Sequence, residues 1–290
     1  MANVTGTTAD KFVNEVWSNE VNRSIQFKLV IAALFADWTS KMGQSGDVFH
    51  LPSRHNLTAN TKSAGSDATP EAITETEQTF TVSTHQIVAQ EIEDFAEVMS
   101  KYSIRNEYNM AASYALGRAL DVACGALFDD NSTQTVGTLT AELSDDNFIK
   151  AWELLGNSSG LPPFKGVVSI AAWAGLLKIE KFTDQLYNGD TKGLALHDAQ
   201  IGRVYQAMLY TSNLTTGTAP NSSGAMWAGD HFFKIIKKKP TTDAWKSPLA
   251  KAWVVATDQI YGVFERQEAD EAAAATTTAR LHGVRLQTLK

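Results

Sequence analysis

Between Gly46 and Phe128 the apolar positions follow a period of two and then a period near 3.6. In Asp47-Val-Phe-His-Leu-Pro52, Val48 and His50 share one face and Phe49 and Leu51 the other, which predicts an extended segment. Gln78-Thr-Phe-Thr-Val82 reads as its antiparallel return, with Phe80 and Val82 on one face. Between these runs, Ser53 to Ala72 offers a core only Leu57 and alanines. A loop of that length inside a compact domain generally has a function of its own. It is polar without being highly charged, so it is expected to project as an arm and to lie on another protein surface. Ile87 and Ala89 have the opposite parity to Phe80 and Val82, which predicts a bulge or bend near Ser83 to His85.

A short helix is expected over Asp94 to Met99, followed by a long one that Ser103 caps and Glu107 favours through the helix dipole. On a helical wheel Ile104, Tyr108, Ala111, Ala112, Ala115, Ala119, Val122 and Ala123 fall on one arc. Glu107, Tyr114, Arg118 and Asp121 fall on the other. From Ser103 to Leu127 this helix spans roughly 37 Å at ~1.5 Å per residue. Its expected buried stripe, with Ala111, Ala115, Ala119 and Val122 as the packing positions, is small enough for a sheet to approach closely.

The rest of the chain reads as mixed α/β. Phe27 to Trp38 is the most apolar window near the start and suggests an amphipathic or buried helix, too short for the ~20 residues that cross a bilayer. Ser144 suits the N-cap of a helix over Asp145 to Leu155, and Pro162-Pro163 precede a Val167-Val168 strand. A helix over Ala171 to Lys181, extended structure from Arg203 to Met208 and a loop from Thr215 to Gly224 follow. Strand-rich runs are then expected at Trp227 to Lys239 and Ala252 to Glu265. Glu268 to Ala275 is expected to be an exposed turn or short helix before a final strand.

Three of these segments, in this order after the arm and the long helix, carry a family resemblance. They are Phe164-Lys-Gly-Val-Val-Ser-Ile-Ala-Ala-Trp-Ala-Gly-Leu-Leu177, Gly202-Arg-Val-Tyr205 with Thr211-Ser-Asn-Leu214, and Thr277 to Leu289 broken at His282-Gly283. From Gly46 onward the chain resembles the major capsid proteins of tailed double-stranded DNA phages, of the Hong Kong 97 type. The resemblance implies an α+β fold with an N-terminal arm and helix (1–45) and an extended loop (46–83). It also implies a peripheral domain (84–137 plus 240–290) carrying the spine helix (103–127), and an axial domain (138–239).

Composition changes the picture only at its edges. The chain has 290 residues, 43% hydrophobic and 20% charged, as in ordinary globular proteins. Its net charge of −7 argues against a dedicated nucleic-acid binder, although it suits a container. The densest basic run, Lys234 with Lys237, Lys238 and Lys239, is either a DNA-facing or partner-facing patch or a solvated strand end. The single cysteine, Cys124, falls within the long helix and is expected to be a buried thiol. Six histidines form no zinc-binding spacing, and no phosphate loop or nucleophile elbow is present. Glu91, Glu93 and Asp94 are close carboxylates, for which a solvated or interfacial face outweighs acid–base chemistry. No catalytic residue, cofactor or metal is therefore expected.

What the resemblance implies is a structural coat protein. Its subunits self-assemble as hexamers and pentamers into an icosahedral or prolate head around double-stranded DNA bound without sequence specificity. The virion would be its location, after assembly in the host cytoplasm and without a membrane. A portal and possible decoration protein are implied as partners, and the short segment before the arm suggests a separate scaffold protein. On the arm, Arg54, His55, Lys62, Asp67 and Glu71 are the candidate inter-subunit contacts, since rim charges set register. Some members of the family join a loop lysine to a neighbour's asparagine; Lys62 is the one arm lysine placed for that, and a non-covalent shell is expected. The alternatives are an encapsulin-like nanocompartment shell around a cargo enzyme and a soluble hydrolase with the loop as its lid.

Overall fold

The computed structural model describes residues 26, 29–42, 46–53, 59–68, 70, 72, 75–100, 103–130, 134–158, 162–179, 203–215, 221–266, 268–269, 279–280 and 282–289. In chain order, the first half contains α1 (Ile31–Leu34), β1 (Ala36–Asp37), β2 (Val48–Ser53), β3 (Thr76–Thr81), β4 (Thr84–Glu93), α2 (Asp94–Met99), α3 (Ile104–Asp130) and β5 (Thr135–Gly137). Next come α4 (Asp145–Asn157), β6 (Phe164–Val168), α5 (Ile170–Leu176), β7 (Arg203–Val204), β8 (Ala207–Thr211) and β9 (Asn221–Ala228). The chain closes with β10 (Phe232–Ser247), β11 (Ala252–Glu265), β12 (Glu268–Ala269), β13 (Ala279–Arg280) and β14 (Gly283–Leu289).

Two sheets share the long helix. A four-stranded sheet has the order β1-β10-β11-β4, and a six-stranded one the order β5-β14-β9-β6-β8-β7. The first half of α3 lies on β4 and β11. There Gln259 Nε2 donates to the Leu116 carbonyl at 3.0 Å and the Arg105 guanidinium sits 4.7 Å from the Trp253 ring centroid. Its last turns reach the six-stranded sheet: Phe128 packs on Trp227 of β9, and Arg285 of β14 bonds Asp129 at 2.6 Å. The expected boundary at 239/240 therefore needs correcting, because it falls inside β10. β5 and β14, assigned by sequence to the peripheral part, lie in the six-stranded sheet.

The helix face assignment also needs correcting. Ala112, Leu116, Cys124 and Phe128 are buried, whereas Ala111 and Ala115 are exposed, Val122 is 44% exposed and Ala119 is only half-buried. An alanine-rich helix carries apolar residues all round, so the wheel leaves its rotation open. Asp121, placed by sequence on the polar arc, is 1% exposed.

That aspartate fixes the segment entering the core. Its carboxylate accepts the Val30 and Ala32 backbone N–H groups at 3.2 and 2.6 Å. Lys234 and Lys165 donate to the carbonyls of Ala32 and Leu34 at 2.5 and 2.9 Å. Gly117 lets this strap approach, since a Cβ there would lie 2.8 Å from Leu29, and Gly125 makes room for the segment after β8, since a Cβ there would lie 2.8 Å from the Leu214 carbonyl oxygen. The helix expected over Phe27 to Trp38 is thus one turn, α1, because the chain then straightens to pair β1 with β10. Beyond it Phe35 stacks on Phe232 at 5.3 Å, within a cluster of Phe128, Trp227 and Phe232, and Trp38 stacks on Phe233 at 4.0 Å.

Several other expectations hold, some with shifted bounds, but Glu268–Ala269, expected to lie in a turn or short helix, is the strand β12 paired with β13. α2 spans the expected residues and α4 starts where expected, although Ser144 makes no side-chain cap bond. α5 is instead capped by Ser169, whose Oγ accepts the Ala172 N–H at 3.1 Å. The loop read over Thr215 to Gly224 is already strand from Asn221, and the run from Trp227 to Lys239 is split by a turn at Gly229-Asp230. Tyr205 and Gln206, at φ 45° and 64°, form the tight β7–β8 turn, where the left-handed region matches a two-residue hairpin.

Candidate assembly surface

The arm is a hairpin. β2 and β3 pair antiparallel from Val48↔Thr81 to Ser53↔Thr76, with Phe49 opposite Phe80. Its root is fastened to the body: Phe80 meets Phe233 edge-on at 5.0 Å, and Phe80 and Val82 are buried. Toward the tip, every described residue from Ala59 to Ala68 is exposed, Lys62 and Asp67 among them. Arg54, His55 and Glu71 lie outside the described residues. His50 and Glu77 face each other across the hairpin at 3.4 Å. The expected phase flip does not occur: inward positions stay even-numbered through Gln86, Val88, Gln90 and Ile92, and Ile87 is 59% exposed. The chain breaks its pairing at Val82-Ser83 and changes sheet there without an inserted residue.

The basic run does not form one free patch. Lys234 is committed to the strap, and Lys238 bonds both oxygens of Asp258 at 2.6 and 2.7 Å. Lys239 is exposed, and Lys237 is not free of interactions. His85 and Thr241 complete the ring around Asp258 at 2.9 and 3.1 Å, joining β4, β10 and β11 where β10 shifts register. The Lys238 bond, followed by the His85 bond, holds the Asp258 carboxyl down at about 2. Burial pushes the Cys124 thiol far up, with the nearby Asp121 charge adding to it, so this cysteine is a packing group. Desolvation and its 2.5 Å hydrogen bond to Asp145 raise the Tyr205 phenol to about 12.

Among the described residues no group of three or more His, Cys, Asp or Glu side chains is placed to hold a metal, and no helix is long and apolar enough to cross a membrane. What the surface does carry is unpaired apolar area. Phe95, Val98 and Met99 of α2 are 70%, 82% and 71% exposed, and Leu249 in the β10–β11 turn is 99% exposed. The sequence reading missed this region. Its signal was Asp94-Phe-Ala-Glu-Val-Met99, six residues with three large apolar side chains and too short to hide them.

Compared as a whole, the chain is similar along nearly its full length to solved phage structures. One from Mycobacterium phage Che8 matches with a TM-score of 0.78 at 17% identity, covering 95% of this chain and 97% of that one. The capsid structure of cyanophage P-SCSP1u matches with a TM-score of 0.74 at 14% identity, covering 100% and 97%. The chain has the fold of a phage major capsid protein. The mature capsid of bacteriophage PhiM1 agrees, with a TM-score of 0.72 at 12% identity over 95% and 92% of the two chains. No protein-family model matches the sequence, and no curated protein is similar to it in sequence. In this capsid fold the hairpin arm precedes the long helix, as read from the sequence.

Proposed function

We propose that this chain is the major coat protein of a tailed phage, a structural subunit whose copies close into a shell around double-stranded DNA. The observation that carries the reading is the arm: a hairpin bolted to the body by Phe80 and Phe233, with an exposed polar tip, on a capsid fold matched over nearly the whole chain. Subunits that overlap head to tail close into rings when each interface tolerates small changes of angle. With Lys234 and Lys238 tied within the subunit, the DNA is enclosed without sequence-specific contact from these two lysines. A separate scaffold, a portal and a site of assembly in the host cytoplasm complete the proposal.

The test is negative-stain imaging of the purified chain, expressed with and without a scaffold encoded beside it. Closed shells are expected. Deleting residues 56–69 should leave a soluble, folded subunit that forms none, and normal shells from that deletion would overturn the role given to the arm. Boiled in detergent without reductant, shells should yield one band near 31.5 kDa. A ladder that vanishes in Lys62→Ala would show a covalent shell instead.

A further inference from the structure

We draw no further inference here: the strongest candidate, the exposed apolar stripe of Tyr108, Ala111, Ala115 and Val122 along the open side of α3, carries none because nothing in the structure shows what covers it.

Discussion

At the start of β10, Phe232 and Phe233 are wholly buried; just past its end, Leu249 is 99% exposed. One strand of 16 residues links a crowded aromatic junction to an apolar tip with nothing packed on it. Around Phe232 stand Phe35, Phe128 and Trp227 at 5.3 to 5.6 Å, while Leu249 is exposed and so are Phe95 and Val98 of α2. The same residue types do opposite work at the two ends. The junction stabilises the subunit by removing apolar area from water, and the tip leaves its apolar area in water.

The sharpest way to break this contrast is to truncate both ends and measure the isolated subunit. Phe232→Ala opens a cavity among packed rings and should destabilise it by ~3–5 kcal/mol in urea unfolding. Leu249→Ala should change it by no more than ~0.5 kcal/mol, as expected for an exposed position. Equal losses would show that the tip belongs to the subunit's own core.

Next in size is the strap. Asp121→Ala leaves the half-buried Val30 and Ala32 N–H groups without their acceptor, which should destabilise the fold by ~1–3 kcal/mol. Asp121→Asn keeps one carbonyl acceptor and should fall between this variant and the wild type. Protease sensitivity near Leu29 that rises in step with the urea effect would tie the loss to the strap; a destabilised variant with an unchanged cleavage pattern would place it elsewhere.

How far the sequence revealed this follows from the same contrast. Strand and helix periods located α2, the arm strands and most of the later strands, because those elements contrast apolar with polar positions, while α3 was legible from its cap and its run of alanines. The six residues from Asp94 to Met99 were read as a helix, yet their exposure depends on what packs over them, which no local pattern records. The face of α3 was misread for a related reason: Ala111, Ala112, Ala115 and Leu116 differ too little in hydrophobicity to orient a helix. Asp121 looked like a surface charge because its partners are backbone groups about 90 residues away. The basic run was legible as charge but not as geometry, since Lys234 and Lys238 find their partners through the strap and through β11.

The helix face can be sharpened by a matched pair. Ala112→Leu should overpack the contact with the sheet, by ~1–3 kcal/mol, and Ala115→Leu, three residues on but on the open side, should stay within ~0.5 kcal/mol. A larger effect at Ala115 in the isolated subunit would restore the face first read from the sequence. If Ala115→Leu is silent in the subunit but impairs shells, that open face is an interface as well.

The smallest expected effect lies between the two ends, at Asp258. Its carboxyl is held at about 2, below the ~3.9 of an unfolded aspartate, chiefly by Lys238 and then by His85. A depressed carboxylate stabilises the fold fully above its unfolded value, and that contribution is lost as pH falls through the folded one. Wild type should therefore exceed Asp258→Asn in urea midpoint by a constant amount above pH ~4. The difference should shrink below that and be lost as pH falls through ~2, where the folded aspartate is protonated in its turn. The ring of Lys238, His85 and Thr241 sits where β10 shifts register, midway along the strand that joins junction to tip. Losing it should loosen the tip before the junction. Amide exchange that rises in residues 241–247 of Asp258→Asn, with residues 232–236 unchanged, would show the two ends to be mechanically separate. A uniform rise along β10 would show that they open together.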